Sequence, residues 1–183
     1  MNYSDRLNSV IPGGAHTYSR GDDQFPENAP QILSKGKDCY VWDGNGEKYL
    51  DYGMALRAVT IGYANEQINK AAIRQIDNGV NLTRASTIEL EAAELIVDLI
   101  PSAEMVKFAK NGSNVTTAAV KIARAYTGKD YVCFPRQHPF FSFDDWFIGK
   151  TPLTRGIPKA YNDYSLLFDF NDLSSLEKHF EEH

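Results

Sequence analysis

Along this chain the apolar positions change period several times, and each change predicts an element. Between Cys39 and Tyr52 apolar and polar residues alternate on either side of Asp43-Gly44-Asn45-Gly46, residues that tolerate positive φ, which predicts a β-hairpin. From Ser86 the period lengthens: Ile88, Ala92, Leu95, Ile96 and Leu99 recur at helical spacing until Pro101. Ser86 and Glu89 have capping-box form at its start. The apolar run Met105 to Ala109 then predicts a buried strand. It stops at the turn Lys110-Asn111-Gly112-Ser113, which opens into a helix closed by Gly128, with Val115, Ala118, Ala119, Ile122 and Tyr126 on its core face. Tyr131 to Phe134 and residues 165–170 predict two further short strands, and Asn171-Asp172 cap a C-terminal helix. Helix, strand, helix, strand in this order predicts parallel β-α-β units and an α/β sheet.

The remaining segments are less regular. Residues 4 to 9 predict a short helix capped by Ser4 and ended by Pro12-Gly13-Gly14, after which an arm rich in turn formers runs to about residue 30. An apolar stretch lies between Gly53 and Gly62, and a helix is predicted at about 66–78, stopping at Asn78-Gly79. Residues 135–149 form a loop dense in aromatic rings, and residues 150–163 hold enough Gly and Pro to run over the surface.

Composition narrows the function classes. The 183 residues suit one ordinary domain or part of a larger one, and 43% hydrophobic with 12% aromatic residues are globular values. No apolar run approaches the roughly 20 residues that cross a bilayer, and the N-terminus has no basic segment followed by an apolar one, so a cytoplasmic protein is expected. A net charge of −5 with both signs interspersed argues against a nucleic-acid or membrane partner and for small molecules or a second copy of the chain. Cys39 and Cys133 have no neighbour at metal spacing, so free thiols and no metal site are expected.

The Lys110–Ser113 corner offers the chemistry to start from. A strand that breaks into a helix leaves N–H groups at the positive end of the helix dipole, a seat for an anion. Neither a P-loop nor a dinucleotide fingerprint is present, and an ordinary N-capped corner would read the same way. The rings of Phe140–Trp146 would serve either to stack on a planar cofactor or to fill a core. Asp144 and Asp145 read as a paired acid and base or as solvated carboxylates, and Arg20 as a carboxylate clamp or a surface residue.

The order of segments adds a resemblance. The arm with Pro-Gly-Gly and Arg20, the hairpin WDGNGEKYLDY, the glycine-bounded loop, the capped helix, VKFAKNGSNVTTAAVKIARAYTGKD and a loop ending DDWFIG together resemble the N-terminal half of class III pyridoxal-phosphate aminotransferases, nearest to the glutamate-1-semialdehyde aminomutase branch. The resemblance covers nearly the whole chain. It implies an α/β fold, the N-terminal part of a fold-type I (aspartate aminotransferase-like) transferase: an arm and small-domain hairpin over residues 1–65, then the first β-α units of the large domain over 66–183. It implies that Gly112 and Ser113, with Asn111 beside them, bind the phosphate of pyridoxal 5'-phosphate, and that Phe140 stacks on its pyridine ring. Phe140-Phe141-Ser142 stands where the family usually has Tyr-His-Gly, so stacking survives and the hydrogen bonds of the Tyr and His do not. Arg20 holds the place of the arm arginine that binds a substrate carboxylate. Leu56 and Arg57 replace the usual Trp and Gly in the loop lining the substrate pocket.

The implied activity is transamination between an amino acid and a carbonyl substrate, a semialdehyde or keto sugar, by a homodimer; an aminomutase or a non-catalytic phosphate-binding module are the alternatives. No lysine here, Lys107, Lys110 and Lys129 included, stands in the position of the Schiff-base lysine, which the family carries further C-terminal with the acid facing the pyridine nitrogen. No catalytic residue is therefore expected in this chain, which reads as a truncated and inactive piece.

Overall fold

The computed structural model describes residues 2–183. The chain divides into two compact units, one running to Arg84 and the other from Ala85 to His183.

The first unit opens with helix α1, Tyr3–Val10. Its cap is Asn2 rather than Ser4: the Asn2 side chain accepts the Asp5 N–H at 2.8 Å, and the Asp5 carboxylate accepts the Asn2 N–H at 3.3 Å. A cap has to stand outside the first helical residue, and the chain is already helical at Ser4, whose hydroxyl donates instead to Asp22. The helix ends at Ile11 in extended geometry, Gly13 (φ 70°) and Gly14 (φ 68°) turn the chain after it in left-handed geometry, and the arm continues as short helical turns at Tyr18–Arg20 and Asp22–Gln24.

The predicted hairpin is formed by β2, Tyr40–Asp43, and β3, Lys48–Leu50, which pair antiparallel. Asp43 closes it: its carboxylate accepts the N–H groups of Asn45 (2.8 Å) and Glu47 (2.9 Å), while Gly46 takes φ 89°. A third strand, β1, Leu33–Lys37, pairs antiparallel with β2 and carries a bulge between Leu33 and Lys35. Its sequence, LSKGK, lacks the alternation that marks the other two. Helix α2, Glu66–Asp77, starts at Asn65, whose side chain accepts from Gln67 and Ile68, and ends at Gly79 (φ 96°).

The second unit begins with α3, Thr87–Leu99, and its capping box is formed as predicted, with the Ser86 N–H donating to Glu89 at 2.6 Å. The predicted strand at 105–109 does not form. A strand exists only by pairing, and this segment has no neighbour to pair with among the described residues; Met105 is 90% exposed. Helix α4, Gly112–Thr127, follows and closes at Gly128 in the left-handed region (φ 67°). After it come β4, Val132–Pro135; the short helices α5, Asp145–Ile148, and α6, Lys159–Asp163; β5, Ser165–Phe168; and α7, Leu173–Glu182, capped by Asp172. β4 and β5 pair in parallel, Val132 opposite Ser165 through Pro135 opposite Phe168, whereas the β-α-β unit predicted from 105–109 through α4 to 131–134 lacks its first strand.

The core of this unit is aromatic. Phe134, Trp146 and Phe147 are buried together, with Val120, Val132, Phe141 and Leu167 against them. Their rings meet edge-on or tilted, 5.2 to 5.9 Å between centroids, as ring quadrupoles prefer. The face that α4 turns toward them is not the predicted apolar one. Val120 packs on the cluster and Thr116 and Thr117 are half-buried, whereas Ile122 is 66% and Tyr126 92% exposed. Polar groups on the aromatic loop decide this, because they take up the threonine hydroxyls.

Candidate functional site

Asn111 forms the corner itself. Its backbone is extended (φ −155°, ψ 172°), its side chain accepts the Asn114 N–H at 3.0 Å, and its carbonyl accepts the Val115 N–H at 3.1 Å. Two of the four donors at the start of α4 are thereby satisfied. The N–H groups of Gly112 and Ser113 have no partner among the described residues and stand at the positive end of a 16-residue helix. Gly112 has no left-handed backbone to explain it, and a Cβ there would meet nothing within 4 Å, so its Cβ position faces open space. The Ser113 oxygen accepts the Phe143 N–H at 3.2 Å, which leaves its hydroxyl hydrogen to donate elsewhere.

That bond ties the aromatic loop to the corner, and two threonines one turn further on complete the tie. The Thr116 hydroxyl donates to the Phe141 carbonyl at 2.8 Å. The Thr117 hydroxyl donates to the Asp144 carboxylate and accepts from the Trp146 indole N–H at 2.8 Å, with the fully buried Ser142 hydroxyl 3.3 Å away. Phe140, next to this clamped stretch, is 66% exposed and stands edge-on to Phe147 at 5.7 Å. The structure thus brings Asn111, Gly112 and Ser113 together at the start of α4 and ties the loop that follows Phe140 to that helix. Asp144 is engaged by Thr117, and Asp145 lies in the first turn of α5. Thr116 and Thr117 are the residues that the sequence reading missed. Ser113, Thr116 and Thr117 repeat at i, i+3 and i+4, a hydroxyl stripe on one helix face, and that spacing was the available signal.

Arg20 and Leu56 belong to the first unit. Arg20 ends the helical turn Tyr18–Arg20 and lines a cleft with His16, Asp22, Tyr49 and Asp51. Leu56 is 51% exposed and sits at the centre of a run with positive φ: Met54 (43°), Ala55 (51°), Leu56 (58°) and Arg57 (72°). Left-handed geometry costs a non-glycine residue roughly 1–2 kcal/mol, so the surrounding bonds have to impose it. The Asp51 carboxylate supplies three of them, accepting from the Gly53 N–H (2.8 Å), the Met54 N–H (3.1 Å) and the Tyr63 hydroxyl (2.6 Å). Desolvation pushes the Asp51 carboxyl up, but these bonds outweigh it and hold it below its ordinary value; desolvation and the bond to Asp51 push the Tyr63 phenol up.

Comparison with known proteins places the chain in a family. The class-III aminotransferase model matches residues 21–174. The chain belongs to the class-III aminotransferase family. A class-III relative, the glutamate-1-semialdehyde 2,1-aminomutase of Persephonella marina, is 31% identical over 163 residues, 84% of this chain and 38% of the relative. The solved structure of the FumI protein of Sphingopyxis sp. MTA144, in its PLP internal aldimine form, superposes with a TM-score of 0.89 at 29% identity, covering 99% of this chain and 42% of that one. An omega-transaminase from Sphaerobacter thermophilus gives 0.87 at 28% identity, covering 99% and 44%. The chain therefore spans about two fifths of the length of the relatives it matches, and its fold is the N-terminal part of the α/β, fold-type I architecture of PLP-dependent transferases. Pyridoxal phosphate is the cofactor of class-III aminotransferases. Among the described residues no helix is long and apolar enough to cross a membrane.

Proposed function

We propose that this chain carries the phosphate-binding corner and ring platform of a pyridoxal-phosphate-dependent transaminase. The observation that supports this most is the pair of N–H groups at Gly112 and Ser113 without a partner among the described residues, at the start of a 16-residue helix. Those donors, the helix dipole and the Ser113 hydroxyl fit a phosphate dianion. Phe140 offers an exposed ring on the loop tied to α4, suited to stacking on a flat heteroaromatic ring. The bound cofactor supplies an electron sink for the bond broken next to the substrate amine. Asn111 fixes the corner, Gly112 keeps it open, Ser113 donates to the phosphate, and Phe140 orients the ring.

In this reading Arg20 binds a substrate carboxylate and Leu56 lines the substrate pocket. In the same reading none of these 183 residues serves as the Schiff-base lysine or as the acid facing the pyridine nitrogen. Residues 1–65 supply the arm and small-domain hairpin and residues 66–183 the start of the cofactor-binding domain, in a cytoplasmic homodimer that acts on an amino donor and a carbonyl acceptor. An aminomutase is the second reading, favoured by the name of the Persephonella marina relative.

The test is a titration of the full-length protein with pyridoxal phosphate, followed by borohydride reduction and peptide mapping. One reduced adduct on a lysine outside residues 1–183 is expected. A full-length protein that takes up no cofactor overturns the reading. Product analysis with separate donor and acceptor then distinguishes transaminase from aminomutase.

A further inference from the structure

The residue types of the Met54–Arg57 turn do not explain its backbone. Methionine, alanine, leucine and arginine all avoid positive φ, yet the four stand in succession there. The turn is closed by its own bonds, Arg57 N–H to the Gly53 carbonyl at 2.8 Å and Val59 N–H to the Met54 carbonyl at 3.1 Å. It is fixed from outside by Asp51, whose N–H donates to the Cys39 carbonyl at 2.9 Å at the edge of the hairpin. Tyr63, the other partner of Asp51, is itself anchored: its N–H donates to the Asp38 carbonyl at 2.8 Å, and its carbonyl accepts the Asp38 N–H at 2.9 Å. A hairpin, a carboxylate and a tyrosine therefore hold one high-energy turn from both sides. Its crest residues, Leu56 and Arg57, are exposed, and Arg57 makes no ion pair among the described residues. Strain this heavily supported, beneath side chains that stay open to solvent, fits a surface shaped for contact with a ligand.

We infer that Asp51, clamped by Tyr63, is a positioning residue that holds the strained Met54–Arg57 turn as the substrate-selecting element of the site. The inference rests on the proposed reading of Leu56 as a pocket residue and extends it: the side chains select, and Asp51 fixes where they stand. Loss of the clamp lets the turn relax to right-handed geometry and moves Leu56 and Arg57 away from the substrate, while the phosphate corner on α4 is untouched.

The test uses the full-length holoenzyme with Asp51→Asn, Tyr63→Phe and Leu56→Gly. Amino donors are drawn from the standard L-amino acids, and the one converted fastest is carried forward. Pyridoxal-phosphate affinity, read by absorbance titration, is expected to stay within about twofold of wild type in all three. KM for the donor or acceptor is expected to rise about tenfold or more in Asp51→Asn, and less in Tyr63→Phe, with kcat within about threefold. Leu56→Gly removes a side chain where glycine is the better backbone residue, so it folds and also raises KM. Should Asp51→Asn fail to fold, the other two variants decide. A KM indifferent to the substitutions, with only thermal stability lowered, overturns the inference and leaves the transaminase reading standing. Wild-type protein that takes up no pyridoxal phosphate overturns both.

Discussion

The Trp146 indole nitrogen donates to the Thr117 hydroxyl at 2.8 Å, across 29 residues of chain. Because the same hydroxyl donates to Asp144, one oxygen atom joins α4 to the start of α5. Thr117→Val keeps the shape and removes that oxygen. Leaving a half-buried carboxylate and a buried indole N–H without their partner should cost about 1–3 kcal/mol of stability, read as a lower denaturant midpoint with an altered Trp146 emission. Thr117→Ser should restore most of it.

Gly112 separates fold from ligand binding. With ordinary backbone geometry and open space at its Cβ position, Gly112→Ala should leave stability within about 0.5 kcal/mol of wild type. Gly112→Val puts a branched side chain on the residue that carries one of the two free N–H groups and should weaken pyridoxal-phosphate binding in the full-length protein at least tenfold, about 1.4 kcal/mol. Calorimetric titration measures it. Unchanged affinity would remove the corner from the proposed site.

The Asp51–Tyr63 bond makes stability depend on pH at both ends. The Asp51 carboxyl titrates lower in the folded chain than in the unfolded one, despite desolvation acting the other way. Its contribution is complete above the unfolded value of about 3.9 and disappears as pH falls through the folded value. Tyr63, raised by desolvation and by Asp51, contributes below about 10 and loses that contribution as pH rises through its folded value. Denaturant midpoints taken from neutral pH into acid should fall less steeply in Asp51→Asn than in wild type.

The capping box of α3 gives a local test. Ser86→Ala removes the acceptor of the Glu89 N–H and should cost about 1 kcal/mol. Glu89 is held below its ordinary value by hydrogen bonds from the Ser86 backbone and side chain, so the difference between variant and wild type should shrink as acid protonates it. Urea denaturation at two pH values checks both.

What the sequence made legible was local. Ser86 and Glu89, the Asp43–Gly46 turn and Gly128 each write their structure within a few residues, and each stands where predicted. Segments that depend on distant partners were not legible. The 105–109 strand needed a neighbour, and the orientation of α4 followed from bonds between threonines and a loop 25 to 29 residues away. The left-handed run at Met54–Arg57 contradicts its own residue types, so only the Asp51 and Tyr63 contacts reveal it. At the candidate site the corner was readable as an anion seat from one strand-to-helix break. The hydroxyl stripe that joins it to the aromatic loop was readable only as a spacing without a stated purpose.

The outward face of α4 bears on how the material behaves in the tube. Ile122, Tyr126 and the unpaired Met105 present apolar surface to water, and the parallel β4–β5 pair has only two strands. Parallel strands rarely stand with so little cover, and open strand edges seek further backbone. Solutions of these 183 residues should scatter light and bind apolar dyes as concentration rises, and solubility should improve when Ile122 and Tyr126 are replaced by lysine or glutamate.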